Sequence, residues 1–133
     1  MEQKEIKLDE GKFAIGVETL QKDSDEPSAM ANYLSKIAIV TRQDGVLRLS
    51  LLLQSQKTIT GFQVEKQAGE LVEAVEKKVD DEMDRRFEMF ELEHLPSILN
   101  VRVQYEVDHE GQKFKGDEAL RLHFNEESLE KLD

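Results

Sequence analysis

The stretch Leu99-Asn100-Val101-Arg102-Val103-Gln104-Tyr105-Glu106-Val107 decides the fold. Its odd-numbered positions are apolar or aromatic and its even-numbered positions are polar. On a helix, residues two apart would point about 200° away from each other, so this pattern would build no common face. In a strand, successive side chains alternate between faces, and the same pattern gives one apolar and one polar face. Such a strand is half-buried, as in an antiparallel sheet with one face on a core.

The same alternation recurs outward from there. Leu120, Leu122 and Phe124 alternate with Arg121 and His123, and Leu47, Leu49, Leu51 and Leu53 share one face. Phe13, Ile15 and Val17 do likewise near the start. Asp44-Gly45, Glu110-Gly111 and Lys115-Gly116-Asp117 lie between such runs, where hairpin turns are expected. Several short strands separated by turn residues predict an all-β domain, a sandwich or a barrel. The alternation predicts burial of Phe13, Leu49, Leu51, Phe62, Val101, Val103, Leu122 and Phe124. No internal repeat or linker interrupts the chain.

Residues 69–95 resist this reading. Leu71, Val75, Val79 and Met83 recur every four residues and are followed by Phe87 and Phe90, which is helical spacing. The competing reading is a pair of strands, 71–77 and 85–93, joined by Asp80-Asp81-Glu82. Periodicity alone leaves both open.

Composition narrows the function classes. The chain has 133 residues, suited to one domain, and no cysteine, which excludes disulfides, thiolate metal sites and cysteine nucleophiles. Asp plus Glu outnumber Lys plus Arg by 29 to 18, a net charge of −11 that repels nucleic acid and anionic lipid. No apolar run approaches the roughly 18 residues of a membrane-spanning helix. Residues 1–10 alternate charges around no apolar core, so no signal peptide is read there. That suits a cytosolic protein and equally a domain of a longer secreted chain. No nucleophile elbow, phosphate loop or neighbouring base supports catalysis, so a non-enzymatic role is expected. His94, His109 and His123 are too scattered for a zinc site. The acidic run at Asp80, Asp81, Glu82 and Asp84 lacks the spacing and glycine of a calcium loop.

Three stretches, in order, resemble a NEAT domain. Glu26-Pro27-Ser28-Ala29-Met30-Ala31-Asn32-Tyr33-Leu34 carries the family's Ser-x-Met-x-x-Tyr pattern at Ser28, Met30 and Tyr33. Gly61-Phe62-Gln63-Val64-Glu65 is similar to its Phe-x-Val strand. Arg85 to Leu92, then Leu95, Leu99 and the strand 100–107, are similar to its Arg-led strand, Leu-x-x-x-Leu corner and penultimate strand. The resemblance implies an immunoglobulin-like antiparallel β-sandwich of about eight strands with a short 3₁₀ helix at residues 28–34. It therefore favours strands over a helix in 69–95. The implied domain is 11–125, with 1–10 and 126–133 as flanking tails.

The resemblance also implies a function: binding or relaying heme in a cell-surface or secreted iron-uptake system of Gram-positive bacteria. Partners would be heme and hemoproteins, with other surface proteins as a further class. Heme would lie between a lip formed by Ser28, Ala29, Met30, Tyr33 and Leu34 and the last hairpin. Heme-binding members carry Tyr-x-x-x-Tyr on the last strand, the first phenolate on the iron. Counting back from Phe124, those positions are Phe114 and Glu118, so the family's ligand is absent. Met30, Tyr105 and His109, or a water held by Glu118, are the remaining candidates for the iron. Other readings are a NEAT-like module that has lost heme and grips hemoglobin or another protein, and a structural or adhesive sandwich. Without the resemblance, Ser28 reads as a helix cap, Tyr105 as a core tyrosine and His109 as a solvated turn residue.

Overall fold

The computed structural model describes residues 5–55 and 57–132. Residues 1–4 and 133, parts of the expected flanking tails, lie outside the described residues. Eleven strands and one 3₁₀ helix follow one another as β1 (Glu5–Ile6), β2 (Gly11–Gln21), the helix (Ala29–Tyr33), β3 (Ile37–Gln43), β4 (Val46–Gln54), β5 (Ile59–Gln67), β6 (Glu70–Val72), β7 (Glu76–Asp80), β8 (Arg85–Leu92), β9 (Leu95–Pro96), β10 (Ile98–His109) and β11 (Gln112–Lys131).

Nine of these strands form one antiparallel sheet in the order β6-β5-β10-β11-β2-β3-β4-β8-β7, while β1 pairs with β9. Strand β2 belongs to two layers. Its residues 16–21 pair with residues 120–125 of β11, and its residues 11–16 pair with β3; after a register shift the end of β11 returns to residues 13 and 14. The sheet curls there, bringing β5 opposite β8, which are far apart in strand order. Phe62 of β5 and Phe90 of β8 meet with ring centroids 5.9 Å apart, tilted by 50°. The result is a sandwich whose two inner faces share one core.

The alternation accounts for that core. All eight residues expected to be buried are buried, with Phe62 and Leu49 fully so. Asp44-Gly45 and Glu110-Gly111 have φ of 54° and 81°, and 53° and 81°, the left-handed pair that a two-residue hairpin turn requires.

Residues 69–95 contain no continuous helix. The chain leaves one layer after β6, which pairs with β5, and joins the other as β7, which pairs with β8. The expected strand 71–77 is thus two short strands broken at residues 73–75. Splits of this kind, with two-residue β1 and β9, raise the count from about eight to eleven. Lys115-Gly116-Asp117 is not a turn, contrary to the expectation. It continues β11, with Gly116 directly opposite Tyr105. Both flanks contain strand residues: Ile6 is buried and pairs with Leu95, and Glu130 and Lys131 pair with Ala14 and Phe13.

A buried ion pair on β8 also reaches across to β5. Arg86 Nε donates to Glu88 Oε2 at 2.6 Å, and Arg86 Nη2 donates to the Ile59 carbonyl at 3.1 Å. Glu88 is fully buried and its Oε1 accepts no hydrogen bond among the described residues. Burial pushes the Glu88 carboxyl above the usual carboxylate range, opposed by the hydrogen bond and charge of Arg86.

Candidate functional site

The short helix sits where the sequence places it for a local reason. Ser28 is extended (φ −77°, ψ 152°), and its Oγ accepts the Met30 N–H at 3.0 Å. Pro27 bridges to Leu20 at the end of β2, and Leu34 bridges to Leu53 at the end of β4. The lip therefore spans the two layers and closes one end of the sandwich. Met30 and Leu34 are buried in the core, Tyr33 packs against it half-buried, and Ala29 is exposed.

Arg121 secures the loop that leads into the lip. Its Nε donates to the Gln21 carbonyl at 3.0 Å, and its Nη2 donates to the Ser24 carbonyl at 2.6 Å and to Asp25 Oδ1 at 2.9 Å. Nothing in the alternation marks Arg121, because a solvent-side arginine on a strand is unremarkable until the loop it reaches is known.

The last hairpin reaches the same end. Leu120 pairs with Gln21, the last residue of β2, and Tyr105 pairs with Ile59, the first of β5. Toward the turn, residues 107–109 and 112–114 pair only with each other. The inner face continues through this arm: Val101 and Val103 are buried, then Tyr105 is half-buried and Val107 exposed. On β11, Leu122 and Leu120 are buried, then Glu118 and Phe114 are exposed, Phe114 by 52%. Tyr105, Val107, Phe114 and Glu118 thus share the face that lower down is covered by core.

Gly116 lies between Phe114 and Glu118 on this face. A Cβ there would collide with Tyr105 Cζ and Oη, well inside 3.0 Å, so the bare glycine lets the tyrosine ring lie across β11. The sequence signal existed: a glycine inside a strand marks a bulge or a close approach.

On the outer face, Arg102 grips Asp117 through two hydrogen bonds of 2.8 and 3.3 Å, and Gln104 Nε2 donates to the same carboxylate at 3.0 Å. The Arg102 hydrogen bond, then that of Gln104, holds the Asp117 carboxyl below the usual range. These bonds brace the arm across its strands.

The structure thus brings the five lip residues, Phe114, Glu118 and Tyr105 to one end of the sandwich. It sends the Met30 side chain into the core and leaves His109 exposed beside the turn. Among the described residues no group of three His, Asp or Glu side chains is placed to hold a metal ion. A groove of about 460 Å³ at the opposite end, lined by Glu65, Leu92, His94, Pro96 and Leu99, contains one histidine and no second ligand type beside it except Glu65. No helix among the described residues is long and apolar enough to cross a membrane.

The profile of the NEAT family, described as the Iron Transport-associated domain, matches residues 6–126. The chain belongs to this family. It is 28% identical over 125 residues to Hemin/hemoglobin-binding protein 1 of Listeria monocytogenes, covering 94% of this chain and 58% of that protein. It is 26% identical over 120 residues to Hemin/hemoglobin-binding protein 2 of the same organism, covering 90% of this chain and 21% of that one. This NEAT domain therefore spans a little over half of one relative and about a fifth of the other. Among solved structures, the NEAT5 domain of IsdX2, a B. anthracis hemophore in complex with heme, superposes with a TM-score of 0.76 at 25% identity, covering 88% of this chain and 97% of that one. A single-substitution variant of the same domain, also with heme, gives 0.76 at 26% identity, covering 89% and 97%.

Proposed function

We propose that this NEAT domain binds or relays heme within a surface or secreted iron-uptake system, without catalysing a reaction on it. The heme would lie between the lip, Ser28, Ala29, Met30, Tyr33 and Leu34, and the inner face of the β10–β11 arm, with Phe114 and Glu118 in its wall. The observation that carries this reading is the uncovered inner face. Val107 and Phe114 stand exposed beside half-buried Tyr105, at the end closed by the lip.

An apolar face on an arm braced from behind suits a large flat ligand. Burying such a ring gives roughly 25 cal/mol per Å² of apolar surface before association costs are subtracted. The heme carried by the IsdX2 NEAT5 structures and the hemin named for the Listeria proteins support this ligand. Hemoproteins would be its source or destination.

A hemin titration followed by absorbance tests the reading. A saturable Soret band at one heme per chain is expected. A titration indistinguishable from free hemin in buffer would turn the assignment toward a protein-binding module that has lost heme.

A further inference from the structure

We propose that Tyr105 supplies the iron ligand, from β10 instead of from the last strand; this rests on the heme reading above. Counting back from Phe124, the resemblance assigns the family's two tyrosine positions to Phe114 and Glu118. Phenylalanine has no donor atom, and no tyrosine follows Tyr105 in the chain.

Tyr105 reaches the same patch from the neighbouring strand. In the antiparallel register Tyr105 opposes Gly116, midway between Phe114 and Glu118. Because Gly116 has no side chain, the ring crosses the strand axis and places its Cζ and Oη over β11. The phenol therefore lies between Phe114 and Glu118, the two positions that the resemblance assigns to the family's tyrosines. Among the described residues no protein group hydrogen-bonds its hydroxyl, while the ring packs over Gly116 and against the core. A phenolate is a hard anionic donor suited to ferric iron. On ligation the phenol O–H bond breaks, its proton passes to solvent, and the oxygen lone pair forms the bond to iron, so binding weakens as pH falls.

The rival donors are placed less well. The Met30 side chain is buried among core residues, and His109 stands at the arm's tip beside the turn. Tyr33 belongs to the lip, on the other wall. An aromatic ring covering a strand glycine can also be purely structural, since such pairs stabilise sheets. Tyr105→Phe separates the two roles: it keeps the ring over Gly116 and removes only the oxygen.

The test compares wild type, Tyr105→Phe and Tyr33→Phe in titrations with ferric hemin and with metal-free protoporphyrin. Tyr105→Phe should weaken hemin at least about tenfold and abolish the tyrosinate charge-transfer absorption. Its metal-free protoporphyrin affinity should stay within about twofold, because the packing is unchanged. Tyr33→Phe should keep the charge-transfer absorption. Gly116→Ala gives a second readout without any ligand: displacing the ring should change the near-ultraviolet circular dichroism of tyrosine in the heme-free protein. Wild type that binds hemin with a spectrum unaltered by Tyr105→Phe overturns the ligand assignment and leaves the heme reading standing. Wild type that fails to bind hemin overturns both.

Discussion

The β10–β11 hairpin is two regions written in one pattern. At its base, Val101, Val103, Leu120, Leu122 and Phe124 are covered by the opposite layer. At its tip, Tyr105, Val107, Phe114 and Glu118 continue the same face, and the opposite layer has ended. Alternation reports that a segment is a strand with one distinctive face. It does not report what covers that face, because the cover comes from β4, β8 and the lip, which are remote in sequence. An apolar face that continues past its cover is where a ligand can complete the core.

The difference has measurable consequences. At the base, Phe124→Ala should cost roughly 3–5 kcal/mol in urea unfolding, the loss typical of a large buried side chain cut to alanine. A loss below about 1 kcal/mol would mean that the base is as open as the tip.

Arg86→Met probes the buried ion pair and the hydrogen bond that reaches from β8 to β5. Removing the arginine leaves Glu88 buried and unpaired, which should cost about 3 kcal/mol at pH 7. Burial already raises the Glu88 carboxyl, so the folded state retains a proton at pH values where the unfolded chain has released it. The group's favourable contribution is complete below the unfolded carboxyl's range, near 4.5, and is lost as pH rises through the folded value. The variant's deficit should therefore shrink as pH falls toward 4.5 in unfolding curves taken across that range. A deficit independent of pH would show that Glu88 is not its cause.

Arg121→Ala should cost about 1–2 kcal/mol for lost hydrogen bonds to the loop before the lip. It should also weaken hemin binding by loosening the lip, although Arg121 belongs to neither wall. At the tip, Val107→Ser and Phe114→Ser should change stability by no more than about 0.5 kcal/mol yet lower hemin affinity. Loss of stability comparable to Phe124→Ala would remove the contrast between base and tip.

Much of the fold was legible because two signals agreed: alternation at residues 99–107 and 120–124, and turn glycines at Gly45 and Gly111. Residues 69–95 were not legible from periodicity. Leu71, Val75, Val79, Met83 and Phe87, which would line one helical face, are all exposed, while Glu88, Phe90 and Leu92 are buried. A buried glutamate in place of an apolar residue hid the strand's alternation, and its arginine partner two residues away accounts for the exception. For the site, that the lip and the last hairpin share one end of the sandwich could be expected from the resemblance. The role of Gly116 could not, since a glycine between Lys115 and Asp117 looks like a turn until its register opposite Tyr105 is known.

The central claim is that heme completes the core at the tip of the hairpin, against the lip. Hydrogen exchange of the backbone amides with and without hemin tests it most directly. The account predicts slowed exchange concentrated in residues 29–34 and in residues 105–118, with the base of the hairpin and the β7–β8 edge little changed. Slowed exchange centred on residues 65–68 and 92–100, at the opposite end, or no slowing anywhere under saturating hemin, would contradict it.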